Sequence, residues 1–407
     1  MASTSVEATS ELGSTHDTVI PLLQDPIPFN PLPTTSNDRF PNFRSNSVPR
    51  HLFRVFTPKS WGETTDAYVR PRSTAELSPE SQRLDIFASY YPDIRKRFQH
   101  RLTDPPDTAE LLRTHLNFRC GPDCNFVSWS SSLLFALQYA LYRMEYLDHL
   151  RASRGQVKIL LLDTTKLPRS TFISEIELLN YFAPYENYQG DKSLRWLRDL
   201  RLKRAHDGYY FGEYLSQGDL KIAGACVQTD LQALIDHGLF GLLPELGEEW
   251  RWKFLILNGG VLSLRQALKL NLVHRDRDCT MPTETATRDE VFRAIEVAKL
   301  FSSDELDFTV PAAAMLLALR QRNKKDPVIL NVFKETFSAA KIESLSLGET
   351  KVPTELWLPE VSQFRMIIED LQRHFEPSEG EPLEELPGED AFEEISALIA
   401  GLDISSM

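Results

Sequence analysis

Arg54, the serines of "NFVSWSSS" (125–132) and Glu213 are the polar residues of this chain least suited to their neighbours. Arg54 lies in "HLFRVF", where period-two alternation gives it Leu52 and Phe56 as face neighbours. An unpaired guanidinium in apolar company is costly, so an anion is required: a carboxylate in a buried salt bridge, or a bound carboxylate or phosphate gripped by the planar fork. Ser128 and Ser130 share one strand face, with Val127 and Trp129 on the other. Ser131 or Ser132 is accounted for as the N-cap of a helix starting near Leu133. Ser128 and Ser130 have no such role, which leaves backbone, water or a ligand as the partners of their hydroxyls. Glu213 follows Gly212 in an aromatic strand, "YYFGEYLSQG", sharing a face with Phe211 and Leu215. A carboxylate placed there is either paired or functional.

The elements that must hold these residues are legible in outline. "RHLFRVF" (50–56) reads as a strand and "DTAELLRTHLNF" (107–118) as a helix with an apolar stripe at Leu111, Leu112, His115 and Leu116. "QVKILLLDTT" (156–165) is a buried central strand, and helices follow around 172–182 and 192–204. "GYYFGEYLSQGDLKIAGACV" (208–227) reads as two strands joined at Ser216-Gln217-Gly218-Asp219. Beyond about Asp276 the pattern turns helical, with a Thr287-to-Glu290 capping box and an Asp326-Pro327 start. Residues 1–48 form a leader rich in Pro, Ser and Thr, expected to be disordered. The expected division is then 49–275 as the first domain, 276–375 as a helical domain and 376–407 as an acidic tail.

That tail holds ten acids and no Lys or Arg, so it accounts for ten of the thirteen net negative charges and leaves the rest nearly neutral. A pI of 5.3 is therefore compatible with a local basic site for a phosphate-bearing ligand. Within the tail, Phe392, Ile395, Leu398, Ile399 and Leu402 fall on one helical face, which makes 390–402 a candidate for docking on a protein partner or back onto this chain. No apolar run is long enough for a bilayer span, and the amino terminus lacks a secretion signal. A cytoplasmic or nuclear, non-secreted protein without membrane partners is expected. Its four cysteines are too few for a disulfide framework. Cys120-x3-Cys124 with His115 resembles part of a zinc site but lacks a fourth ligand at short spacing, so no metal is expected. "RWLRDLRLKR" (195–204) puts Arg195, Arg198 and Arg201 on one helical side, read as a solvated cationic face or a phosphate contact. No phosphate loop, dinucleotide glycine fingerprint, zincin motif or nucleophile elbow is present, so kinase and α/β-hydrolase chemistry lack support.

Taken in chain order, "LFRVFTPKS", "FVSWSS" and "GEYLSQG" resemble the Arg-Ser-Glu signature of mono-ADP-ribosyltransferases of the heat-labile enterotoxin type. "NFVSWSSSLLFALQYA" and "YYFGEYLSQG" also resemble an uncharacterised domain of filamentous-fungal proteins, over about 50–260. The resemblance implies an α+β fold on a split, mostly antiparallel sheet of the ADP-ribosyltransferase type. It implies NAD as substrate, Glu213 as the catalytic carboxylate, Arg54 on the pyrophosphate or ribose, and Ser128 with Ser130 orienting the glutamate and lining the ribose pocket. The acceptor would be an unknown protein or nucleic acid. Phe211 stands where arginine-directed members carry Gln or Glu, which argues against arginine as acceptor, and Trp129 stands where Thr is usual. Two classes stay open: an NAD-dependent ADP-ribosyltransferase or NAD glycohydrolase, and a non-catalytic interaction protein that keeps the fold.

Overall fold

A computed structural model describes Phe29 and residues 48–73, 84–85, 101–102, 105–145, 154–168, 170–206, 210–247, 285–345 and 358–375. The acidic tail with its 390–402 segment, and all of the leader but Phe29 and Val48, lie outside the described residues.

The strands are β1 (His51–Phe56), β2 (Glu63–Thr64), β3 (Tyr68–Arg70), β4 (Leu84–Asp85), β5 (Arg101–Leu102), β6 (Phe126–Ser130), β7 (Lys158–Asp163), β8 (Ile173–Ser174), β9 (Glu213–Gln217), β10 (Leu220–Lys221) and β11 (Cys226–Asp230). Six of them build one sheet in the order β11-β7-β1-β6-β9-β8, every pair antiparallel. The expected α+β class and mostly antiparallel sheet are present. The apolar run of β7 is central because both its faces are covered: Ile159 and Leu161 meet one core cluster, Leu160 and Leu162 another.

The expected turn at Gly218 exists, with φ +67 in the left-handed region, but the strands on either side do not pair with each other. β9 stays in the large sheet, while β10 joins β3 and β2 in a three-stranded sheet and β11 returns to the far edge beside β7. Alternation reveals that a strand exists; its partner is settled by the edges left open elsewhere.

The helices of the first half are α1 (Pro105–Leu116), α2 (Leu133–Glu145), α3 (Glu175–Phe182), α4 (Leu194–His206), α5 (Leu231–Asp236), α6 (Leu239–Leu242) and α7 (Pro244–Gly247). Ser132 caps α2 as expected, accepting from the Phe135 amide at 3.0 Å. The second half supplies α8 (Arg288–Ala298), α9 (Thr309–Leu317), α10 (Pro327–Thr336), α11 (Ala339–Glu343) and α12 (Pro359–Phe375). The Thr287–Glu290 capping box and the Asp326 cap form as the sequence indicates. These late helices share one apolar core with α2 and with Phe53, Ile159 and Leu161 of the sheet. A second cluster packs α1, α3 and α4 over Phe126 and Leu215. Among the described residues no helix is long and apolar enough to cross a membrane.

Candidate functional site

The large sheet has one weak seam. β1 pairs with β7 over six positions and β6 with β9 over five, but β1 meets β6 only at Phe53 and Ser130. Extending that register would set Arg54 opposite Trp129, on the face away from the Ser128 and Glu213 side chains. The guanidinium nevertheless reaches Ser128, donating from Nη1 to its carbonyl at 2.9 Å and from Nε to Thr64 Oγ1 at 3.1 Å. The anion that burial seemed to demand is not a carboxylate of the described residues, since Arg54 bonds only these neutral groups. Burial pulls its pKa down to about 10, Arg143 adding to the effect while Tyr139 and Cys120 oppose it. Arg143 likewise bonds neutral groups, its Nη2 donating to the hydroxyls of Thr57 and Ser60 at 2.9 and 3.1 Å. Two guanidiniums within electrostatic reach of each other thus have no acid between them among the described residues.

Ser128 joins this basic seam to the acid. Its hydroxyl donates to Glu213 Oε1 at 2.8 Å and lies 2.8 Å from His115 Nε2. With its one proton given to Glu213, the Ser128 hydroxyl accepts from the imidazole, which puts a His115 proton on Nε2. The other Glu213 oxygen lies 3.3 Å from Arg201 Nη2. Arg201, 3 % exposed, also stands 2.9 Å from Glu175 Oε1, close as a charge pair but poorly aligned as a hydrogen bond. Tyr210 donates to the second Glu175 oxygen at 3.0 Å. Desolvation and the Glu213 charge push the Glu175 carboxyl well above its usual range, with Arg201 opposing. Arg201 thus sits between two buried carboxyls, Glu175 and Glu213.

Arg201 was not visible as part of this group. The spacing of "RWLRDLRLKR" put it on a cationic face with Arg195 and Arg198; Arg195 is exposed, but Arg201 is buried between two acids. Glu175 gave no signal either. It follows the N-cap Ser174 in the first turn of α3, where an acid is ordinary.

Ser130 also sits in this neighbourhood, directly across from Glu213, but its hydroxyl works on the backbone. It donates to the Phe211 carbonyl at 2.6 Å and accepts from the Ser132 amide at 3.0 Å, holding the corner after β6. Ser132 Oγ donates to Glu360 at 2.6 Å, tying α12 to the same corner. Gly212 is required there: its φ is +59, and a Cβ would lie 2.0 Å from Ser131 Oγ. The close approach expected beside this glycine is made by Ser131.

Aromatic rings line the route between the two charged groups. Phe211, under the Arg201 guanidinium, stacks on Phe135 at 4.6 Å; Phe135 stacks on Tyr139, and Tyr139 on Tyr142. Arg143 lies over the Tyr139 ring. A cavity elsewhere, lined by His51, Ser131, Tyr210, Tyr214, Glu360 and Phe364 among others, does not include Arg54, Ser128 or Glu213.

The zinc-site fragment judged incomplete in sequence is brought together. His115 Nδ1 lies 3.1 Å from Cys124 Sγ and 3.3 Å from Cys120 Sγ. The hydrogen bond from Cys120 and the nearby His115 pull the Cys124 thiol down, while Cys120 is pushed up as the donor. Burial opposes protonation of His115, but Cys124 outweighs it and raises the imidazole.

Residues 47–219 match a family model described as a domain of unknown function, DUF7587. No curated protein and no solved structure matches the chain. The matched segment includes Arg54, Arg143, Ser128, Glu175, Arg201, Glu213 and the His-Cys-Cys group, and it ends before β10 and β11.

Proposed function

We propose that the β1–β6 seam binds NAD and that the protein is a mono-ADP-ribosyltransferase or NAD glycohydrolase. The observation that carries this reading is the pair of guanidiniums, Arg54 and Arg143, without an acid partner among the described residues, Arg54 being joined through Ser128 to an oriented carboxylate. Like charges in a partly buried place repel, and a pyrophosphate relieves that repulsion with bidentate contacts. Glu213, held by Ser128, then faces the nicotinamide ribose, and the Phe135–Tyr139–Tyr142 ladder offers ring faces to a planar base.

The C1′–N bond to nicotinamide breaks with its electron pair going to the leaving ring, and positive charge grows on the ribosyl carbon. A fixed carboxylate stabilises that charge in a low-dielectric site more than water does. An acceptor oxygen or nitrogen, or water, then bonds C1′ and gives up a proton. Glu213 exchanges its contact with Arg201 for the ribose as NAD enters. Glu175, 2.9 Å from Arg201, stays as the neighbour of that guanidinium when Glu213 turns to the ribose.

Calorimetry of NAD against the full chain tests the binding half. Wild type binds, and Arg54→Gln weakens binding about tenfold or more, the loss of one charge-assisted phosphate contact. Absence of binding to wild type would favour the second reading, a non-catalytic interaction protein. That reading draws on the burial of Glu213, 6 % exposed and already compensated by Arg201.

A further inference from the structure

We propose that His115 Nδ1, Cys120 Sγ and Cys124 Sγ form a binding site for a zinc-class divalent cation, with one tetrahedral position left for a fourth ligand. The three donor atoms lie within 4.8 Å of one another. Around tetrahedral zinc, sulfur and nitrogen ligands stand about 3.6 Å apart and two sulfurs about 3.8 Å apart, given bond lengths of about 2.3 and 2.0–2.1 Å. The observed separations of 3.1 and 3.3 Å from Nδ1 to the sulfurs need only a few tenths of an ångström of opening.

The proton arrangement points the same way. Ser128 donates to Glu213 and so takes its hydrogen bond from His115 Nε2–H. In the neutral ring Nδ1 is then the position whose lone pair a cation can take, and it faces both sulfurs. A metal-bound histidine ordinarily hands its other N–H to an oxygen that is itself anchored, as Ser128 is by Glu213. Two thiolates with one divalent cation are electrically neutral, which suits Cys124 at 2 % exposure.

The chain is shaped to present these donors. α1 ends in a Schellman motif, Phe118 N to His115 O at 2.9 Å and Arg119 N to Thr114 O at 2.8 Å. Phe118 fills the left-handed position at φ +57, where glycine is usual, and its side chain is 61 % exposed. A turn from Cys124 N to Gly121 O follows, and Arg72 holds the Cys120 carbonyl at 3.1 Å. The loop between the cysteines has little apolar packing to fix it, with Pro122 and Asp123 exposed, while the sulfurs point inward. A metal supplies the anchor.

The test is metal analysis of the full chain, purified under reducing conditions after growth with zinc and freed of loose metal. One equivalent of zinc is expected, replaceable by cobalt with a thiolate-to-cobalt charge-transfer band in the near ultraviolet. Cys120→Ser and Cys124→Ser lose the metal, while Cys226→Ser retains it. Should the first two variants fail to fold, zinc-edge X-ray absorption on wild type decides, with a shell of two sulfurs and one imidazole nitrogen expected. Wild type that takes up neither zinc nor cobalt, that holds a Cys120–Cys124 disulfide under these conditions, or that binds metal without sulfur overturns the proposal. Metal content does not depend on NAD, so this inference and the proposed function fail separately.

Discussion

Arg201 shows how far a single residue can depart from its local pattern. It is pressed between Glu175 and Glu213, and removing it leaves two buried acids facing each other. Arg201→Ala should cost about 3–5 kcal/mol of stability in urea denaturation, as for other buried pairs that lose one partner. Arg195→Ala, two turns earlier on the same helix and exposed, should stay within about 0.5 kcal/mol. Equal effects would refute the buried pairing. Arg54, Ser128 and Glu213 stand out in the sequence because each puts a polar group on a strand among apolar neighbours. Glu175 and Arg201 do not, because an acid after an N-cap and a basic residue in a basic helix both look like surface, and only the meeting of α3, α4 and β9 buries them.

Among elements, the start of β1 joins the sheet to the late helices. His51 is buried edge-on to Phe308 and Phe364, and burial, then Arg50, lowers its pKa from 6.5 to about 4 against the pull of Asp163. Its folded value lies below its unfolded one, so the unfolded chain takes up more protons between these pH values and stability falls as pH drops from about 6.5 toward 4. The loss is on the order of 3 kcal/mol. Denaturation at pH 7 and pH 5 should show wild type losing more than His51→Leu; parallel losses would mean His51 is not buried neutral. Asp163, whose carboxylate is held below its usual range by Arg50 and Thr165 against the cost of burial, gives way only at lower pH. At the other corner, Gly212→Ala should cost about 1–3 kcal/mol, since backbone strain adds to the clash with Ser131. Ser131→Ala should restore part of it in a double-mutant cycle; strict additivity would contradict the contact. Helix starts were readable from their capping residues, and strands from alternation. The separation of β9 from β10 was not, because no local signal says that β11 must cross the sheet to cover β7.

At the scale of the molecule, the matched segment and the folded unit do not coincide. A chain ending at residue 219 keeps the site residues but loses β11, which pairs with β7 along five positions, and the helices that cover Phe53, Ile159 and Leu161. Residues 47–219 alone should lack a cooperative thermal transition, whereas 47–375 should show one; a folded short fragment would contradict the shared core. The central claim is that the β1–β6 seam consumes NAD, and its most direct test is nicotinamide release by the full chain beside Glu213→Gln, which keeps size and removes the charge. The account predicts release by wild type and a loss of about 100-fold or more in the variant. Release that persists unchanged in Glu213→Gln, or none from a wild type that also fails to bind NAD, would contradict it.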